Sequence, residues 1–110
     1  VYDAQIPAVP AADVPQDAYV LDVREPDEWA AGHAEGATHI PMSEVVGRIE
    51  ELPRDTRVHV MCRVGGRSAR VAQYLLGQGR DVVNVDGGMT AWAAAGRPVV
   101  TDDGTAGTVL

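Results

Sequence analysis

Three short apolar runs constrain the fold most: Val20-Leu21-Asp22-Val23, Val58-His59-Val60-Met61-Cys62 and Val82-Val83-Asn84-Val85. Each is rich in valine, too short for a buried helix, and closed by charged residues, glycine or proline, so each reads as a buried strand. The segments between them carry helical spacing. Ser43 is placed to cap a helix through Val45, Val46, Ile49 and Leu52 that stops near Pro53. Arg67 to Gln78 sets Val71, Tyr74 and Leu75 on one face, with Gly77 and Gly79 at its end. Met89 to Ala95 forms a short Ala-rich helix before Gly96 and Pro98. Strands alternating with helices at this spacing predict βαβ units, an α/β fold with a mainly parallel sheet covered on both faces. Ile6 to Val9 adds an edge strand, demoted by its two prolines, Pro7 and Pro10. The 110 residues hold one hydrophobic core, and no repeat or linker divides them. The domain is expected over residues 1–100. Residues 101–110, TDDGTAGTVL, lack periodicity and are expected as a loose, flexible tail.

Charge narrows the partners. Nine basic and sixteen acidic residues leave a net charge of −7, which disfavours a nucleic-acid partner because phosphate contacts dominate that affinity. No apolar run reaches the ~20 residues of a membrane span. The start, VYDAQIPAVP, lacks a basic segment followed by an apolar stretch, so no export signal is expected in it. All nine basic residues are arginine, so every side-chain cation available to a site is a guanidinium or a protonated histidine. The single cysteine offers neither an internal disulfide nor a zinc cluster, and the three histidines share no face, so no metal and no other cofactor is expected. A reducing, cytoplasmic setting is the default for such a chain.

That one thiol, Cys62, lies where an apolar strand ends and a helix begins, in Cys62-Arg63-Val64-Gly65-Gly66-Arg67-Ser68. Ligands of open α/β sheets bind beyond the carboxyl ends of strands. The loop therefore arches over a site toward which backbone N–H groups and a helix N-terminus point, an anion cradle. Gly65 and Gly66 suit the tight curvature. Arg63 and Arg67 place two cations within reach of the sulfur. Helix N-termini and arginines lower a thiol's pKa, and the thiolate is the nucleophile, so Cys62 reads as an activated one.

The loop resembles the active-site loop of the rhodanese family. LDVREPDEWAAGHAEGATHIP (21–41), VDGGMTAW (85–92) and GRPV (96–99) resemble that family's other motifs in the same order, so the match spans roughly residues 5 to 100. The resemblance implies a rhodanese-like fold with a sheet of about five strands flanked by helices on both faces. It also implies a single-domain sulfurtransferase, in which Cys62 takes the outer sulfur of thiosulfate or a similar small anionic donor as a persulfide. Cyanide or a thiol then removes it. Arg63, Val64, Gly65, Gly66, Arg67 and Ser68 would bind the donor and then the persulfide. Two other readings stand beside this one. In the first, the domain is a persulfide relay or binding module working with a partner protein. In the second it is a cysteine-dependent phosphatase, disfavoured because Cys62 to Arg67 is Cys-x4-Arg, one residue shorter than the phosphatase loop of the same fold.

Other polar residues read as support. Asp22 and Arg24 flank Val23 and face one side, locking the loop beside the site through ion pairs or backbone bonds, with anion steering by Arg24 as the alternative. Glu25 and Glu28 read as structural or solvated. His33, within the family's Gly-His pattern, organises a loop; His39 and His59 are structural. Trp29 and Trp92 are core anchors, Gly87 and Gly88 let a strand end pass close to the catalytic loop, and Val64 and Met89 form a small apolar rim.

Overall fold

The computed structural model describes residues 6–110. Five parallel strands form the main sheet: β1 (Ala8–Pro10), β2 (Tyr19–Asp22), β4 (Thr38–His39), β5 (Val58–Met61) and β6 (Val82–Asp86), in the order β1-β6-β5-β2-β4. The helices α1 (Pro26–Ala31), α2 (Gly66–Gly77) and α3 (Gly88–Ala94) connect or follow them. A separate antiparallel pair joins β3 (His33–Ala34) to β7 (Val99–Val100). The three apolar runs are thus adjacent strands, β2, β5 and β6, with Leu21 beside Val60 and Val60 beside Asn84. The expected edge strand exists as β1, paired with β6, starting two residues and ending one residue further along the chain than its sequence pattern predicts.

Side-chain alternation sends each strand's residues to two cores. On one face Leu21, Val23, Val58, Val60 and Val82 pack against Val71, Ala72 and Leu75 of α2 and against Val45 and Leu52. On the other, Val20, Met61 and Val85 meet Met89 and Trp92 of α3, with Ala11 and Val14. Each fully buried aliphatic side chain contributes about 1.5–3 kcal/mol. Met89 is therefore core, fully out of solvent, and not part of an apolar rim. Trp92 is the core anchor expected, with its indole N–H donating to the Pro98 carbonyl at 2.9 Å.

Two expectations change. The segment expected as a helix capped by Ser43 is a pair of 3-10 helices, Met42–Glu44 and Val46–Glu51, and Ser43 caps neither. Gly47 and the non-helical Arg48 (φ −122°) interrupt any longer α-helix. The tighter three-residue turn buries Val45 and Leu52 but leaves Val46 64% exposed. The last ten residues, expected to hang free, return to the domain. Thr108 N–H donates to the Ala31 carbonyl at 2.9 Å and Gly107 N–H to the Val99 carbonyl at 2.8 Å. Gly32 and Gly107 permit this contact, since a Cβ on Gly107 would meet the Gly32 Cα at 2.7 Å. Val109 then packs on the α3-side core.

Candidate active site

Cys62 follows β5 directly, and Gly65 caps α2 with φ 112°, a conformation that glycine alone adopts without strain. Gly66, by contrast, is already helical and needs no such freedom. The turn brings the Gly65 N–H to 3.1 Å from the Cys62 Sγ and the Ser68 hydroxyl to 3.3 Å. The residue is 1% exposed, so its sulfur forms the floor of the loop.

What keeps the amides facing inward is the fixing of the carbonyls outward. The Cys62 carbonyl accepts from Met89 N–H at 2.9 Å and the Arg63 carbonyl from Thr90 N–H at 3.0 Å, both in the first turn of α3. Gly88, at φ 53°, makes this possible: a Cβ there would strike the carbonyl of Cys62 and lie 2.7 Å from that of Arg63. The sequence expectation that Gly87 and Gly88 bring a strand end close to the loop therefore holds, with Gly88 at the closest approach. The Gly65 carbonyl accepts from Asn84 Nδ2 at 3.1 Å, from Ala69 N–H at 3.1 Å, and lies 3.2 Å from the Ser68 hydroxyl. Asn84 went unassigned in the sequence, although a buried amide inside the valine run of β6 was itself the signal.

Electrostatics at the sulfur differ from the expectation in source but agree in direction. Burial pushes the Cys62 thiol up; the Ser68 hydroxyl and the N–H groups of Ser68, Gly65 and Val64 outweigh that, and the net effect lies below the ordinary value. The arginines are not the leading source of this lowering, although the charges of Arg67 and Cys62 attract each other. Arg67 is held in a two-pronged ion pair by Glu28, at 2.7 and 2.9 Å. Arg63 is exposed and its Nε donates to the Leu110 carbonyl at 2.8 Å. The hydrogen bond from Arg67 holds Glu28 down to about 2 against the opposing effect of burial, while the Glu25 N–H and the charge of Arg24 act with Arg67. Glu28, read as structural or solvated, is thus the counter-ion of an arginine in the Cys62 loop. It is presented by α1, where Glu25 and Glu28 form a reciprocal capping box.

Asp22 and Arg24 form the ion pair and backbone bond expected of the locking role. Both are fully buried and paired at 2.7 Å, and Arg24 Nη2 also donates to the Gly32 carbonyl at 2.8 Å. The Arg24 Nη1, also buried, has no hydrogen-bond partner among the described residues. The histidines serve the same scaffold. A ring nitrogen of His33 lies 2.9 Å from the Trp29 carbonyl, and one of His39 lies 2.8 Å from the Arg24 carbonyl. Trp29 stacks on both imidazoles, at centroid distances of 3.5 and 4.8 Å, so it organises this loop and is only partly buried. Val64 stands 57% exposed on the crest of the loop, which leaves it alone as an apolar rim residue. Among the described residues no group of three His, Cys, Asp or Glu side chains could hold a metal, and no helix is long and apolar enough to cross a membrane.

Comparison with known proteins agrees with this geometry. The Rhodanese-like domain family matches residues 10–95. A sulfurtransferase of Allochromatium vinosum is 39% identical over 90 residues, covering 81% of this chain and 84% of that protein. The structure of a rhodanese-related protein from Thermoplasma volcanium superposes with a TM-score of 0.83 at 36% identity, over 87% of this chain and 99% of that one. A thiosulfate sulfurtransferase from Pseudomonas aeruginosa superposes with a TM-score of 0.81 at 28% identity, over 98% of this chain and 22% of its own.

Proposed function

The chain belongs to the rhodanese-like domain family, and from that premise we propose that it is a sulfurtransferase that carries sulfane sulfur on Cys62. The observation that carries the reading is the floor of the loop, where a buried sulfur meets an N–H at 3.1 Å and a hydroxyl at 3.3 Å while the loop carbonyls are tied elsewhere. Such a cradle favours an anion on sulfur without a partner base.

With thiosulfate as donor, the Cys62 thiolate attacks the outer sulfur. A new S–S bond forms, the old one breaks, and sulfite leaves with the electron pair. The product is an anionic persulfide on Cys62, whose terminal sulfur the N–H groups of Arg63 to Ser68 hold in place of the thiolate. Cyanide or a thiolate then attacks that terminal sulfur and departs as thiocyanate or a new persulfide, returning the Cys62 thiolate. Val64, apolar and exposed beside the nucleophile, supports a second reading in which the acceptor or donor is a protein and the domain relays sulfur.

Intact-mass measurement after thiosulfate treatment tests the proposal. Wild type gains one sulfur that cyanide removes as thiocyanate, and Cys62→Ser gains none while keeping its unfolding midpoint. Thiocyanate production by the serine variant at the wild-type rate would overturn it.

A further inference from the structure

The two loop arginines do not stand free above the thiol, and one of them is neutralised. Arg67 is only 31% exposed and Glu28 only 14%, and their two short bonds join α1 to the first turn of α2. The Glu28 carboxylate is itself fixed, since its Oε1 also accepts from the Glu25 N–H at 3.0 Å. Behind the pair lies a second one, Asp22 with Arg24, fully buried. The charges beside the loop therefore alternate, Asp22 and Glu28 against Arg24 and Arg67, with Glu25 a further carboxylate whose charge also acts on Arg67. Arg63 lies outside this group, exposed, with its Nε donating to a Leu110 oxygen.

We propose that Glu28 is a specificity-determining residue: by cancelling Arg67 it sets the net charge an incoming donor meets at Cys62, and so ranks donors by their charge. The inference rests on the sulfur-donor reading of the site. With Glu28 in place the pocket relies on peptide dipoles, which suit a singly charged persulfide as well as a dianion. Without it, Arg67 would favour the dianion. Because electrostatic energy is linear in the ligand's charge, one added unit that improves binding of a dianion about tenfold improves that of a monoanion only about threefold. A neutral reagent should not respond.

The variants Glu28→Gln, Arg67→Ala and the double variant separate this from a structural role. Glutamine keeps the shape and one acceptor for Arg67 but removes the charge. The measured quantities are the second-order rates of Cys62 persulfidation by thiosulfate and by an alkyl hydropersulfide, which is a monoanion at neutral pH. A third measurement, the ratio of alkylation rates by iodoacetate and by neutral iodoacetamide, needs no sulfur chemistry and cancels changes in thiol reactivity. Glu28→Gln should raise the thiosulfate rate about tenfold, with the hydropersulfide rate and the alkylation ratio rising about threefold. Arg67→Ala should lower all three by similar factors, and the double variant, neutral again, should return near wild type.

A double variant no better than Arg67→Ala would overturn the proposal, because it would make Arg67 a direct donor ligand or the pair merely structural. Equal changes toward charged and neutral reagents would overturn it as well. If neither donor loads sulfur but the alkylation ratio follows the charge count, the sulfur-transfer reading fails and the role of Glu28 stands. If sulfur loads and the ratio stays flat, Glu28 loses the role and sulfur transfer survives.

Discussion

Replacing Ser68 by alanine isolates one donor to the reactive sulfur. The hydroxyl lies 3.3 Å from Sγ and 3.2 Å from the Gly65 carbonyl, and its single proton serves one acceptor at a time. With a neutral thiol it turns to the carbonyl; with a thiolate it turns to the sulfur. Only the difference between the two bonds acts on ionisation. A hydrogen bond to a charged acceptor contributes about 1.5–3 kcal/mol and one to a neutral carbonyl about 1, so the thiolate gains about 0.5–2 kcal/mol. The Gly65 carbonyl keeps Asn84 and Ala69 as donors, so the substitution orphans no buried acceptor and the fold should survive. Loss of an anion-stabilising donor moves the thiol's midpoint upward. Alkylation by iodoacetamide below the wild-type midpoint should fall about tenfold, while the plateau at high pH, where both proteins are ionised, should agree within about twofold. Stability follows the same linkage. Because the folded value of Cys62 is depressed, its contribution is present above the unfolded thiol's value, about 8.5, and is lost as pH falls through the folded value. The gap in urea stability between wild type and variant should therefore widen as pH rises. An alkylation profile that overlays the wild type would refute the role assigned to the hydroxyl.

Two further substitutions probe the frame around the loop. Gly88→Ala places a Cβ against the Cys62 and Arg63 carbonyls at a backbone φ of 53°; left-handed strain of about 1–2 kcal/mol and the loss of two hydrogen bonds of about 1 kcal/mol each predict a loss of about 3–4 kcal/mol in denaturant unfolding, and a loss below about 1 kcal/mol would show that the two segments do not depend on this approach. His59, buried in β5, is held below its ordinary value by burial, with the charge of Arg57 adding and a backbone bond at Tyr19 opposing; its contribution to stability is present above about 6.5 and lost as pH falls through the lower folded value, so His59→Gln should flatten the acid side of the stability profile, and an unchanged slope would assign that side to other groups.

Strand positions and the turn around Cys62 were legible because both are local properties. The valine runs specify β2, β5 and β6 by propensity and burial alone, and their parallel pairing follows from the helices between them. The strand–Cys–Gly–Gly–helix order likewise specifies a turn with its amides inward, and the Gly65 N–H sits where that argument puts it. The Ser43 segment misled because its apolar spacing suits an α-helix equally well; Gly47 and the kink at Arg48, not the apolar pattern, decide that it turns more tightly.

What stayed hidden were the partners of the loop's outward-facing groups, and each comes from a distant part of the chain. Glu28 reaches Arg67 across 39 residues, and Leu110 meets Arg63 across 47. An arginine one or five positions after a cysteine looks like a cation for that cysteine, since a sequence shows chain proximity and not the acceptor that folding delivers. The same limit applies to Asn84, 19 residues from the Gly65 carbonyl it holds. The activation of Cys62 is thus assembled in two steps. Local turn geometry aims the amides at the sulfur, and long-range acceptors and donors then fix the carbonyls and hold the guanidinium groups in place. A loop lifted from this frame would keep its arginines but lose both the tether on its carbonyls and the carboxylate that cancels Arg67, so the same residues would present an anion with a different site.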